Sequence, residues 1–299
     1  MLFNALSGHP DLWSLYRESG GIIEGFLPVK MTPGASDVVE SDDVNEQTIT
    51  AIAQVFAESV GNAGSGHFSL SRGASAFLRT RLGQEVMQLP GISKLRLASI
   101  YSRRGQKKKV DEFRIVEKTP VNCFKIQLLE RVFPDAIYIY ITRDPRQTIA
   151  SIYTGWTESR EFRRFPFPEG FELAGYEPRW WSFGLIPGWE SLNGAPLMEV
   201  CARQWLLYNR FCQRDLPSDK NRTVVVAYED LVAHPGEVLR RIAHWAGLEP
   251  SPFEQFERTL PVVNTFTDPH GEKWRNLEAE IREIEPVVRG EAAALGYRL

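Results

Sequence analysis

The run AIYIYIT at 136–142, passing straight into Arg143-Asp144-Pro145-Arg146, constrains this chain more than any other stretch. Seven residues rich in β-branched and aromatic side chains fit a central strand buried on both faces, as in a parallel sheet. Pro145 then suits the first turn of a helix, where the N–H that proline lacks has no intrahelical partner to lose. That helix, over 145–153, carries Ser151. Strand-like runs at 113–117 and 223–227 and helical spacing at 122–132, 197–214, 235–246 and 277–295 continue the alternation. Short apolar strands alternating with helices predict an α/β fold, a parallel sheet flanked by helices.

The rest of the chain is less regular. Residues 2–7 read as a helix halted at His9-Pro10, because the residue before a proline is pushed out of the α region. Residues 31–46 are acidic and turn-rich and read as a surface loop, and 47–59 as a helix. The segment 155–195 carries Trp156, Trp180, Trp181 and Trp189, four of the eight tryptophans, among glycines, prolines and phenylalanines. It reads as an irregular insertion, an acceptor cleft or lid for which Phe165 and Phe167 add further aromatic surface. There is no internal repeat, and 1–299 reads as one domain.

Open α/β sheets bind ligands at the carboxyl ends of their strands, and Arg143 stands at such an end. Ser151 follows about two helical turns later. A guanidinium fork and a hydroxyl both donate well to phosphate. The alternative is that Arg143 pairs with a nearby carboxylate and Ser151 only packs. With 35 Lys and Arg against 38 Asp and Glu the net charge is −3, so an anion site must be local and no nucleic-acid partner is indicated. The dense basic run at 103–109 reads as a solvent-facing loop before an acceptor-binding patch.

Three cysteines, Cys123, Cys201 and Cys212, form neither a disulfide framework nor a zinc cluster. No apolar run reaches the ~18–20 residues of a membrane span, and the first residues lack a signal-peptide pattern. The expectation is a cytoplasmic protein without a bound metal.

The stretch EKTPVNCFKIQLLERVFPDAIYIYITRDPRQTIASIY resembles the core of the sulfotransferase family, especially its bacterial and protein-tyrosine branches. The family's lysine-threonine-proline turn is matched by Lys118, Thr119 and Pro120. Its F-P-D-A helix end is matched at 133–136, and its R-D-x-R turn with a serine eight residues on by Arg143 and Ser151. The resemblance implies a P-loop NTPase-like parallel sheet and a sulfuryl donor, 3′-phosphoadenosine-5′-phosphosulfate (PAPS). It implies that Arg143 and Ser151 hold the 3′-phosphate and that Lys118 approaches the transferred sulfuryl group. In VVVAYEDL, Tyr228 falls where the family's tyrosine contacts adenine. In HGEKWRNL, Lys273 and Arg275 are the candidates to close over the 3′-phosphate.

The amino-terminal part departs from the family pattern. The family's strand and G-x-x-R-S-G-T loop, which cradle the 5′-phosphosulfate, precede an L-F-N-x-L helix and H-P-D; this sequence opens on LFNALSGHPD. The glycines of 61–67 follow a helix and lack the Lys-Ser/Thr of a P-loop, so they do not replace it. Two expectations follow: an active transferase belonging to a longer reading frame, or a non-catalytic paralogue that grips only the nucleotide. A nucleotide kinase shares the architecture but needs G-x-x-x-x-G-K-[ST], which is absent. For the base, Glu18, nine residues after His9, and Glu117, next to Lys118, are the candidates. Asn122 stands near the place where some members carry a histidine and cannot act as a base. The resemblance implies a hydroxyl or amine acceptor on a small molecule, carbohydrate, lipid or peptide, and leaves its identity and the oligomeric state open.

Overall fold

The computed structural model describes residues 1–14, 18–61, 114–260 and 272–299. Helices α1 (Leu2–Ser7), α2 (Gly20–Phe26) and α3 (Glu46–Gly61) come first, with β1 (Leu12–Trp13) between the first two. After β2 (Arg114–Ile115) come α4 (Ile126–Val132), β3 (Tyr138–Thr142) and α5 (Pro145–Glu158). Strands β4 (Arg163–Pro166) and β5 (Trp180–Ser182) lead to α6 (Leu197–Asp215) and β6 (Thr223–Ala227). Helices α7 (Tyr228–Ala233), α8 (Pro235–Ala246) and α9 (Glu278–Ala294) complete the order. The architecture is mixed α/β with small parallel sheets. Strand β1 pairs parallel with β2, β3 pairs parallel with β6 from Tyr138↔Thr223 to Thr142↔Ala227, and β4 pairs antiparallel with β5.

Local chemistry explains the boundaries. Asp144 caps α5, its carboxylate accepting from the Arg146 N–H at 2.8 Å, and Pro145 takes the first turn. Helix α8 likewise opens on Pro235. It closes on Gly247, whose φ of +63° is left-handed, with Leu248 N–H returning to Ala243 O.

Three expectations are corrected. Strand β3 is not buried on both faces: Ile137 and Ile141 are 42% and 41% exposed, and Val225 on β6 is 56% exposed. The reason is that β3 and β6 pair only with each other among the described residues. The helix expected over 122–132 is broken into a 3-10 turn, Pro120–Phe124, and α4. Lys125 separates them with φ −132°, its ammonium turned inward 3.4 Å from the buried Asp37 carboxylate. The segment 31–46 is a surface loop only in part, since Met31, Asp37, Val39 and Val44 are all buried. Acidity misled here, because the Asp37 charge is met inside the protein rather than by water. The basic run at 103–109, and the glycine run beyond Gly61, lie outside the described residues.

The aromatic segment is a core hub. Trp156, Trp181 and Trp189 are buried with Phe171 and Tyr176, and only Trp180 of its four tryptophans is exposed. The Trp156 ring meets Trp181 and Tyr176 edge-on, each at 5.3 Å between centroids, a geometry that adds to the burial energy. Each buried indole N–H of this segment has a partner: Trp156 donates to Gln204 Oε1 at 2.9 Å, Trp181 to Gly184 O at 3.0 Å and Trp189 to Ala35 O at 3.0 Å. The Gln204 amide in turn donates to Ser182 O and Gly184 O, stitching α6 to the turn after β5.

Gly155 packs without a side chain against the stacked rings of Phe162 and Phe183, and a Cβ there would overlap Phe183. Phe183 itself holds φ +62°. Gly155→Ala is therefore expected to destabilise the fold by about 1–3 kcal/mol, as overpacking does, read as a lower urea midpoint at unchanged slope.

Candidate functional site

The register of β3 and β6 builds the centre of the site. Thr142 and Ala227 are paired at the carboxyl ends of two parallel strands, so the residues that follow, Arg143 and Tyr228, emerge side by side. The Arg143 guanidinium stacks on the Tyr228 ring with its carbon 4.3 Å from the ring centroid. Among the described residues Arg143 makes no ion pair. Its neighbour Arg146 differs, since the Asp144 carboxylate engages it at 2.6 Å.

The turn after β3 is held from two sides. Asp144 N–H donates to Glu229 Oε1 at 2.9 Å. The Tyr297 hydroxyl donates to Glu229 Oε2 at 3.0 Å and lies 3.3 Å from Thr142 Oγ1, bringing the carboxyl-terminal Gly296-Tyr297 to the strand end. Burial pushes the Tyr297 phenol up to about 12, so it stays a neutral donor at physiological pH. On α5, Ser151 Oγ donates to Gln147 O at 2.9 Å, the ordinary helical back-bond; a phosphate oxygen would have to compete for that proton.

A second group lies at the turn after β2. Lys118 and Glu18, distant in sequence, form a direct ion pair, each about half exposed. Glu117 is bonded instead to Ser19, Thr119 and Asn122. Met1 joins the two groups: its sulfur lies 3.5 Å from the Tyr228 hydroxyl. Burial, and after it the Lys118 charge, holds the Met1 amine below its usual value. Met1 thus lies between Tyr228, on which Arg143 stacks, and Lys118, which pairs with Glu18.

The last two candidates share one turn. Lys273 begins the 3-10 turn Lys273–Leu277, and Arg275 in it is exposed and paired with Glu272. Between them the Trp274 ring is flanked by Arg146 at 4.8 Å and Arg275 at 5.0 Å. Sequence reasoning missed this clamp, although the second arginine of R-D-P-R and the tryptophan of K-W-R were both visible.

Burial raises the thiols of Cys123, Cys201 and Cys212, the last to about 12, which leaves none of them an available thiolate nucleophile. Among the described residues no group of three His, Cys, Asp or Glu is placed to hold a metal, and no helix is long and apolar enough to cross a membrane.

Residues 39–182 match the model of the family described as the sulfotransferase family. That stretch of the chain, just under half of it, is similar to the sulfotransferase family. The match contains Lys118, Arg143 and Ser151 and stops short of Glu18 and Tyr228. Among solved structures, the sulfotransferase domain from the curacin biosynthetic pathway is similar at 18% identity and TM-score 0.44, covering 100% of this chain and 93% of that one. The sulfotransferase STF9 from Mycobacterium avium is similar at 14% identity and TM-score 0.41, covering 100% and 74%. The search of curated proteins gave no match. The likeness to the family rests on the sequence match over 39–182.

Proposed function

We propose that this sulfotransferase-like protein moves a sulfuryl group from PAPS to a hydroxyl or amine acceptor, within a single α/β unit of P-loop type spanning 1–299 and working in the cytoplasm. The observation that carries the reading is Arg143. It is a guanidinium at the carboxyl end of a parallel strand, oriented by an aromatic face and pairing with no carboxylate among the described residues. An arginine kept from internal ion pairs, about two helical turns before a serine hydroxyl, suits an oxyanion with several acceptor oxygens.

The residues fit the donor in kind. Arg143 and Ser151 would hold its 3′-phosphate, Tyr228 would border the adenine, and the turn carrying Lys273 and Arg275 would close the phosphate side. Bound there, PAPS supplies an activated sulfuryl group on a phosphate leaving group. Lys118 would set its positive charge against the negative charge that grows as that group departs, the electrostatic term on which such transfers chiefly depend. Glu18 Oε1 would take the acceptor's proton, worth about 10²–10⁴-fold. None of these roles calls for a metal ligand.

Calorimetric titration of the full chain with adenosine 3′,5′-bisphosphate tests the reading. The expected result is saturable one-to-one binding that weakens with added inorganic phosphate. No binding at millimolar nucleotide would overturn it. Binding without transfer from PAPS to any member of a phenol, amine and sugar panel would favour the non-catalytic alternative.

A further inference from the structure

Glu117 is bound at every side. Its Oε1 accepts from Ser19 N–H at 2.9 Å, from Ser19 Oγ at 2.5 Å and from Thr119 Oγ1 at 2.5 Å, and its Oε2 accepts from Asn122 Nδ2 at 2.8 Å. Ser19, Thr119 and Asn122 are all buried. Four donors converge on one carboxyl group, and an ionised carboxylate, which only accepts, satisfies all of them. Proton abstraction is therefore the wrong task for it.

The connectivity shows what it does instead. Ser19 directly follows Glu18, and Glu117 directly precedes Lys118. Joining Ser19 to Glu117 sets two segments nearly a hundred residues apart side by side, and the residues next to the joint, Glu18 and Lys118, meet as an ion pair. Asn122 and Thr119 extend the joint into the turn that carries the lysine. The Asn122 carbonyl oxygen is buried with no partner among the described residues, so Glu117 alone fixes that amide.

We propose that Glu117 is a positioning residue that clamps Ser19 and thereby holds Glu18 against Lys118. The proposal rests on the reading of Glu18 and Lys118 as base and sulfuryl-facing cation, but its test does not use the donor. Trace acetylation of the full chain with acetic anhydride, read by mass spectrometry, reports how well each lysine is shielded. Lys118 is compared with the exposed Lys220 in the same sample.

Glu18→Gln removes the partner and is expected to raise relative labelling of Lys118 about threefold, the scale of an exposed ion pair. Glu117→Gln is expected to do the same although it never touches Lys118, and the double variant should go no further than either single one. Ser19→Ala, which keeps the Ser19 N–H donor, should give a smaller rise and serves if Glu117→Gln fails to fold. Unchanged Lys118 labelling in Glu117→Gln and Ser19→Ala, or additive effects in the double variant, would overturn the clamp. Failure of the nucleotide titration would sink the donor assignment and leave this result standing.

Discussion

Replacing Arg143 with alanine is expected to weaken binding of adenosine 3′,5′-bisphosphate by at least tenfold, measured by calorimetry at fixed ionic strength. A guanidinium bonded to a phosphate contributes about 1.5–3 kcal/mol, which is ten- to a hundredfold in affinity. The side chain is already aimed by Tyr228 and has no carboxylate to leave, so little of that is spent on reorganisation. Arg143→Lys keeps the charge and loses the fork, so it should recover only part of the affinity. Thermal stability should move little, because the lost stacking is half-exposed and no buried charge is orphaned. Equal affinities for the Arg143→Ala and parent proteins would remove the 3′-phosphate assignment.

How far the site could be read in the sequence depended on whether local signals set its geometry. Arg143 and Tyr228 were legible because each follows a strand of five β-favouring residues, and parallel pairing in register puts consecutive strand ends together. The caps of α5 and α8 were legible for the same reason, as proline and its neighbours decide them locally. Glu117 was ambiguous, since its task depends on Ser19 and Asn122, which sequence spacing does not bring near it. Tyr297 and Trp274, on either side of α9, act through contacts made only when those turns dock near β3 and α5. The packing of the aromatic segment was not legible. Abundant tryptophan looks the same in sequence whether it lines a cleft or fills a core, and only the partners of Trp156 and Trp181 distinguish them. Asp37 was missed altogether, because a lone acid in an acidic stretch gives no sign that an arginine 127 residues away will meet it.

That acid carries the largest expected effect on stability. Asp37 is fully buried and accepts from Leu185 N–H at 2.6 Å and from Arg164 Nη2 at 3.0 Å, with Lys125 Nζ at 3.4 Å. Arg164 reaches on to Glu24 at 2.7 Å, so one cluster ties α2, the 31–46 segment, the turn before α4 and β4 together. Burial alone would raise the Asp37 carboxyl, but the Arg164 bond and the Lys125 and Arg164 charges outweigh it and hold it below its ordinary value. Asp37→Ala is expected to cost about 3–5 kcal/mol, because it leaves the Lys125 ammonium, 1% exposed, without its counter-charge. Adding Lys125→Met should recover part of that loss, since removing both members of a buried pair is far cheaper than removing one. The pH dependence has a definite sign. A carboxyl held low in the folded state stabilises fully above its unfolded value of about 3.9 and loses that contribution as pH falls through the folded value. The parent protein's urea midpoint should therefore drop steeply below about pH 4, whereas the Asp37→Ala/Lys125→Met protein should show a shallower acid slope. Matching acid slopes in the two proteins would mean that the Asp37 cluster is not what gives way first in acid.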